Sequence, residues 1–173
     1  LIGGSICTRS CSFCQVDKGK PNPSLDKSEP QRVAEAVKYL NLNYVVITSV
    51  ARDDLSDHGA SLFTETISEI RKESPFISIE VLTPDFWGGH IELNASLKAQ
   101  RDRLAKVLYA KPVCFNHNLE TVKRLQKIVR RGATYDHSLN LLKAAKELAP
   151  RIPTKSGLML GLGETEEEVI ATM

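Results

Sequence analysis

The chain has 173 residues, 42% of them hydrophobic and 25% charged, and its 23 basic and 21 acidic side chains leave a net charge of +2. This is the balance of an ordinary globular domain: it excludes disordered and collagen-like classes, and the basic surplus is too small to hold nucleic acid by charge alone. No apolar run approaches the roughly 18 residues that cross a bilayer, and the longest, Tyr44-Val-Val-Ile47, has strand length, so no membrane protein is predicted.

Leu1-Ile-Gly-Gly-Ser-Ile6 opens the chain as a short apolar run without the basic flank and long apolar centre of a signal peptide. This start, together with a helix just begun at Glu166–Met173, leads us to expect a piece of a longer protein, cut at both ends. Cys7, Cys11 and Cys14 follow that first run, and the loop Lys18–Asp26, with Pro21 and Pro23, follows them. Val33, Ala36, Val37 and Leu40 then recur at helical spacing, and Ser28 with Gln31 resembles a capping box. Tyr44–Val50 predicts the second strand, and Leu62, Phe63, Thr66, Ile67 and Ile70 form the second helical stripe. Phe76–Leu82 is the third strand, Ala95–Leu108 the third helix and Pro112–Phe115 the fourth strand. Val122–Val129 and Leu139–Leu148 supply two helices within one crossover. Gly157–Leu160 is the fifth strand, and Thr165 with Glu168 forms a second capping box. Strands alternating with helices predict an α/β fold with a parallel sheet and one domain over residues 1–173. Five strand-helix units are too few to close an eight-stranded barrel.

The chemistry concentrates in Cys7-Thr-Arg-Ser-Cys11-Ser-Phe-Cys14. Thiols three and four residues apart on one loop are poorly placed for disulfides and would leave one unpaired, so the pattern indicates a reducing compartment and a metal. A structural zinc prefers four protein ligands, whereas an iron-sulfur cluster held by three thiolates keeps one iron open. A zinc site completed by a distant histidine, and a non-catalytic cluster, stand as rival readings. The fourth cysteine, Cys114, reads as a small buried hydrophobe.

This loop resembles the signature of the radical S-adenosylmethionine (SAM) superfamily. Further segments are similar to lipoyl synthases: Tyr44-Val-Val-Ile-Thr-Ser-Val50 with Arg52-Asp-Asp-Leu55, Pro84-Asp-Phe86, Phe115-Asn-His-Asn-Leu-Glu-Thr121 and Lys155-Ser-Gly-Leu-Met-Leu-Gly-Leu-Gly-Glu-Thr165. The resemblance implies a partial (β/α)6 TIM-like barrel in which Cys7, Cys11 and Cys14 hold a 4Fe–4S cluster whose open iron binds SAM. It implies a 5'-deoxyadenosyl radical that opens C6 and C8 of an octanoyl chain to sulfur insertion. The partners implied are an octanoylated lipoyl carrier domain or H protein and an electron donor such as ferredoxin or flavodoxin, in the cytoplasm or an organelle matrix.

Around the cofactor, Thr48 and Ser49 would either meet the amino-acid end of SAM or simply cap the strand-to-helix turn. Phe13 would pack near the adenine or anchor its own turn, and Asn116 would contact the ribose or the substrate. Gly157, Met159 and Gly161 belong to a strand whose backbone would lie beside the adenine. Asn118 reads as a helix N-cap, and His117 reads first as a satisfied structural histidine. Arg52, Asp53 and Asp54 would either orient the cluster loop or face solvent. Lys123, Arg124, Lys127, Arg130 and Arg131 fall on one helical side, a solvated face or an attraction for an acidic carrier.

Lipoyl synthases also carry an auxiliary 4Fe–4S cluster, whose N-terminal cysteines and C-terminal serine are absent from this sequence, so this chain alone is expected not to complete sulfur insertion. Trp87, Ala51 and Arg131 depart from the family pattern. The competing reactions are those of another radical SAM enzyme.

Overall fold

A computed structural model describes residues 1–22, 24–87 and 93–173; Pro23 therefore lies outside the described residues. The elements are β1 (Ile6–Cys7), β2 (Asp17–Lys18), α1 (Glu29–Tyr39), β3 (Tyr44–Thr48), α2 (Ala60–Glu73), β4 (Ser78–Leu82), α3 (Leu93–Tyr109), β5 (Cys114–Asn116), α4 (Gln126–Val129), α5 (Tyr135–Leu148), β6 (Thr154–Lys155) and α6 (Glu166–Thr172).

Strands β3, β4, β5 and β6 pair in chain order and all in parallel, with Ile47, Val81, Phe115 and Thr154 in one row. Ile2 extends the sheet beyond β3, donating its N–H to the Thr48 carbonyl at 2.8 Å, and a bridge between Glu120 and Leu158 continues the β5–β6 pairing past the strand ends. Parallel neighbours in sequence order, each joined by a helical crossover, build a barrel wall one strand at a time. The described residues form such a wall without closing it.

Alternate strand residues face opposite ways. Ile47, Ile79, Val81 and Phe115 are buried in one core with Ala34 and Val37 of α1, Phe63, Ile67 and Ile70 of α2, Leu104 and Val107 of α3, and Leu141 and Ala145 of α5. The opposite face carries Tyr44, Val46, Glu80, Cys114 and Asn116. Glu80 is buried there and gathers the Tyr44 hydroxyl at 2.5 Å, the Lys155 ammonium at 3.0 Å and the Asn116 amide at 3.2 Å. Burial favours the protonated form of Glu80, but these donors outweigh it and hold the carboxyl below its usual range.

Several sequence expectations change. The first apolar run is not a continuous strand, because Gly3 and Gly4 both adopt φ of 88° and break it between Ile2 and Ile6. Ser28 precedes α1 without a side-chain cap; its hydroxyl bonds Asp26 instead. Val122–Val129 is not one helix but a 3-10 turn, Lys123–Leu125, followed by the single turn α4. Gln126 and Arg130 are buried polar residues that turn inward, Gln126 to the carbonyls of Leu119 and Thr121, and a regular helix cannot serve both demands. The last strand pairs at Thr154–Lys155, ahead of the expected Gly157–Leu160, with Leu158 forming only a bridge. The capping box of Thr165 and Glu168 forms as expected. Cys114 is half-buried rather than fully enclosed.

Candidate functional site

A cavity of about 240 Å³ opens at the carboxyl ends of β3 and β4, where parallel sheets place their ligands. All three cysteines of the loop line it, with Phe13 between them. Thr48 and Ser49 from the end of β3, Thr83 and Asp85 after β4, Asn118 and Glu120 after β5, and Arg130 after α4 complete the wall. Neither Thr48 nor Ser49 caps α2, since Asp57 accepts the N–H groups of Gly59 and Ser61 at that turn.

The cysteine loop is tied to the ends of two strands through Arg9. Its guanidinium reaches Asp53 through Nε at 2.9 Å and Nη2 at 2.8 Å, and Asp85 through Nη1 at 2.9 Å and Nη2 at 2.6 Å. Both pairs are two-pronged, the geometry that suits a planar fork against a carboxylate. Burial alone would push both carboxyls up; the Arg9 charge and its hydrogen bonds, joined at Asp53 by His58 and Thr8, hold them well below the usual carboxylate range. Arg52 next door is buried and bonds Asp54 and the Gly3 carbonyl. This segment is therefore a clamp, not a solvated charged loop.

Cys7 Sγ accepts the N–H of Ala51 at 3.3 Å and of Arg9 at 3.4 Å. Burial pushes the Cys11 thiol up, against the pull of Arg130 and Arg9. Among the described residues no three histidine, cysteine, aspartate or glutamate side chains already meet around one point as a single metal ion requires. The cysteines face a shared volume instead.

A second cation stands beside the loop. Arg130 is buried and bonds Ser138 Oγ at 2.6 Å and His117 Nε2 at 3.1 Å, and among the described residues it has no ion-pair partner. The His117 ring fixes its orientation: Nδ1 lies 2.7 Å from the Thr83 carbonyl, which can only accept, so Nε2 presents its lone pair to Arg130 and Ser138. Burial, then the Arg130 charge, push His117 down to about 4, so the ring is neutral at physiological pH. Glu120 faces the same cavity from a backbone with φ of 67°, a conformation non-glycine residues adopt at a cost, and burial raises its carboxyl.

The residues anticipated from sequence divide. Cys7, Cys11, Cys14, Phe13, Thr48 and Ser49 come together on the cavity wall. Asn116 does not: it points to Glu80 on the open sheet face, and its neighbour Asn118 takes the place at the cavity. Asn118 is no helix cap either, because the next helical turn starts at Lys123. Gly157 sits behind Asn118, where an added Cβ would lie 3.0 Å from Oδ1. Met159 packs with Phe13 against Val122, Leu125 and Val129. Gly161 lies in an exposed turn closed by the Glu164 carboxylate. None of these three lines the cavity. The five-residue basic face is also broken up: Arg130 is buried, Arg124 pairs with Glu168 at 2.7 Å and Lys123 with Asp136 at 2.9 Å. Sequence reasoning does not single out Arg9, Asp85 and Glu120 as site residues although they lie inside the motifs that identify the site, and Arg130, outside those motifs, reads only as part of the basic face.

Comparison with known proteins places these observations. Residues 1–173 match the Radical SAM superfamily. The chain is 67% identical, over its whole length, to lipoyl synthase 2 of Prochlorococcus marinus strain MIT 9313, and covers 56% of that protein. It is 54% identical to lipoyl synthase of Caldanaerobacter subterraneus, again over its whole length and 56% of the relative. The chain thus spans a little over half the length of these relatives. Among solved structures, the cobalamin-dependent SAM radical enzyme OxsB superimposes with a TM-score of 0.62 over 97% of this chain and 25% of that one, at 13% identity, a likeness of fold alone.

Proposed function

This chain belongs to the radical SAM superfamily, and from that premise we propose that it is the cluster-binding core of a lipoyl synthase, one radical SAM domain over residues 1–173. In this reading Cys7, Cys11 and Cys14 hold a 4Fe–4S cluster at the mouth of the cavity. The donor set fits. A structural zinc prefers four protein ligands, whereas a four-iron cube held by three thiolates keeps one iron open, and three thiols of one loop line one cavity here. When bound, the cluster would pass one electron to SAM, whose 5'-deoxyadenosyl radical would open C6 and C8 of a carrier-bound octanoyl chain to sulfur.

The chain's own residues would then bind and orient. Arg130, a buried guanidinium that makes no salt bridge among the described residues, holds the SAM carboxylate. Asn118 and Glu120 bond the ribose hydroxyls, one of the two contacts expected of Asn116. Phe13 covers the adenine, and Thr48 and Ser49 bond the amino-acid end. Gly157 and Met159 support this wall from behind, Gly157 by admitting Asn118 and Met159 by backing Phe13. The single observation that carries the reading is that three thiols and a buried guanidinium engaged in no salt bridge among the described residues face one cavity at the carboxyl end of a parallel sheet.

In the full-length protein we expect the auxiliary cluster, an octanoylated carrier domain or H protein as substrate, and a ferredoxin or flavodoxin as reductant, in the cytoplasm. No helix among the described residues is long and apolar enough to cross a membrane. The test is octanoyl-dependent 5'-deoxyadenosine formation by the reconstituted full-length enzyme. Formation that requires the octanoylated carrier supports the assignment; cleavage without that dependence points to another radical SAM reaction.

A further inference from the structure

The loop that carries the three cysteines has few bonds of its own, the Cys14 N–H to the Cys11 carbonyl at 3.3 Å and the Arg9 N–H to Cys7 Sγ at 3.4 Å, and its second half is tied outward by the Ser12 N–H to the Val129 carbonyl at 2.9 Å. Its first half is held from outside. The Thr8 N–H donates to the Ala51 carbonyl, its hydroxyl lies 2.6 Å from Asp53, and Arg9 spends four N–H groups on Asp53 and Asp85. The three partners differ in exposure: Arg9 keeps 9% of its side-chain surface, Asp53 31% and Asp85 none. The Arg9 stem packs on Gly132, where φ is 89° and an added Cβ would lie 3.3 Å away. A residue between two proposed metal ligands thus spans the loops that follow β3 and β4. The bridge is made by protein groups alone.

We propose that Arg9 is a positioning residue which, by bridging Asp53 and Asp85, folds the cysteine loop before the cluster arrives and thereby governs how tightly the cluster is kept. The inference rests on the reading of Cys7, Cys11 and Cys14 as cluster ligands. Charge-assisted, two-pronged bonds of this kind hold a loop against local opening, and an open loop releases its metal. Lysine, a point charge on a flexible stem, cannot reproduce both prongs at once.

The test uses the full-length protein, reconstituted anaerobically, with two readouts: the rate at which a ferrous chelator strips its iron, and hydrogen exchange of the cluster-free protein. Arg9→Met should lose iron about tenfold faster or more, the factor that corresponds to roughly 1.4 kcal/mol of lost charged hydrogen bonding. Its amides at residues 8–14 should exchange faster while those of β3, β4 and β5 keep their protection. Arg9→Lys and Asp53→Asn should fall between, and Asp53→Asn, which leaves the Arg9–Asp85 pair intact, serves if Arg9→Met does not fold. Iron loss at the wild-type rate in Asp53→Asn and Arg9→Lys overturns the proposal, as does a loss of protection spread evenly through the sheet. Wild-type protein that holds no more iron than Cys→Ser variants at positions 7, 11 and 14 would instead overturn the ligand assignment beneath it.

Discussion

Replacing Arg130 by methionine keeps the length and much of the bulk of the stem and removes the charge. In the wild-type protein the guanidinium bonds only neutral groups, Ser138 Oγ at 2.6 Å and His117 Nε2 at 3.1 Å, and remains available to an anion entering the cavity. A hydrogen-bonded charge pair in a buried site contributes about 1.5–3 kcal/mol, so Arg130→Met should weaken SAM binding roughly 10- to 150-fold. The loss belongs to the carboxylate, which a double cycle isolates. Anaerobic equilibrium binding of SAM and of its decarboxylated analogue to the reconstituted wild-type and variant proteins supplies the four affinities. The discrimination between the two ligands should shrink in the variant by the same factor by which SAM affinity falls. A coupling indistinguishable from zero, with SAM bound as tightly by Arg130→Met as by the wild type, would refute the role given to Arg130.

Gly157→Ala places a methyl 3.0 Å from Asn118 Oδ1, so Asn118 must shift; SAM affinity should fall about two- to tenfold with the melting temperature changed little, and unchanged affinity would remove Asn118 from the binding wall. Glu80→Gln should cost about 1–3 kcal/mol at neutral pH, measured by urea unfolding. Because the folded-state pKa of Glu80 is depressed, its stabilisation is present above the usual carboxylate range and is lost as pH falls through the folded value; the gap between wild type and Glu80→Gln should therefore close below about pH 4, and a pH-independent gap contradicts the assignment. Arg124→Glu breaks the bonds to Glu168 and the Gly163 carbonyl that hold the start of α6, so it should loosen that helix in hydrogen exchange, whereas Lys127→Glu should not; equal effects would mean that α6 is held by other contacts.

Much of this was legible in the sequence because it depends on local chemistry. Three thiols within eight residues announce a metal whatever the fold, and the stripes in α1 and α2 and the box at Thr165 are satisfied within a few turns. What the sequence hid is the side-chain traffic between distant segments. Arg130 continues a helical repeat of basic residues and reads as solvated, yet it turns inward because Ser138 and His117, on other elements, receive it. Asn116 ends β5 and Asn118 follows two residues later, and the strand's register decides which meets the cavity; Asn116 belongs to the row with Leu82 and Lys155, where Glu80 captures its amide. The helix expected at Val122–Val129 fails for a related reason, since its apolar spacing is sound but Gln126 is needed by carbonyls outside it. Arg9, Asp53 and Asp85 were each in view inside a motif, and only the fold brings their carboxylates to one guanidinium.

The most direct test of the central claim is the electron paramagnetic resonance spectrum of the anaerobically reconstituted, dithionite-reduced full-length protein, recorded with and without SAM and repeated on variants with Cys→Ser at positions 7, 11 and 14. A 4Fe–4S signal that shifts when SAM is added, and that disappears from the triple variant, is the result predicted for a cluster with an open iron held by these three cysteines. A signal that does not move with SAM, or that survives the loss of all three thiols, would contradict it.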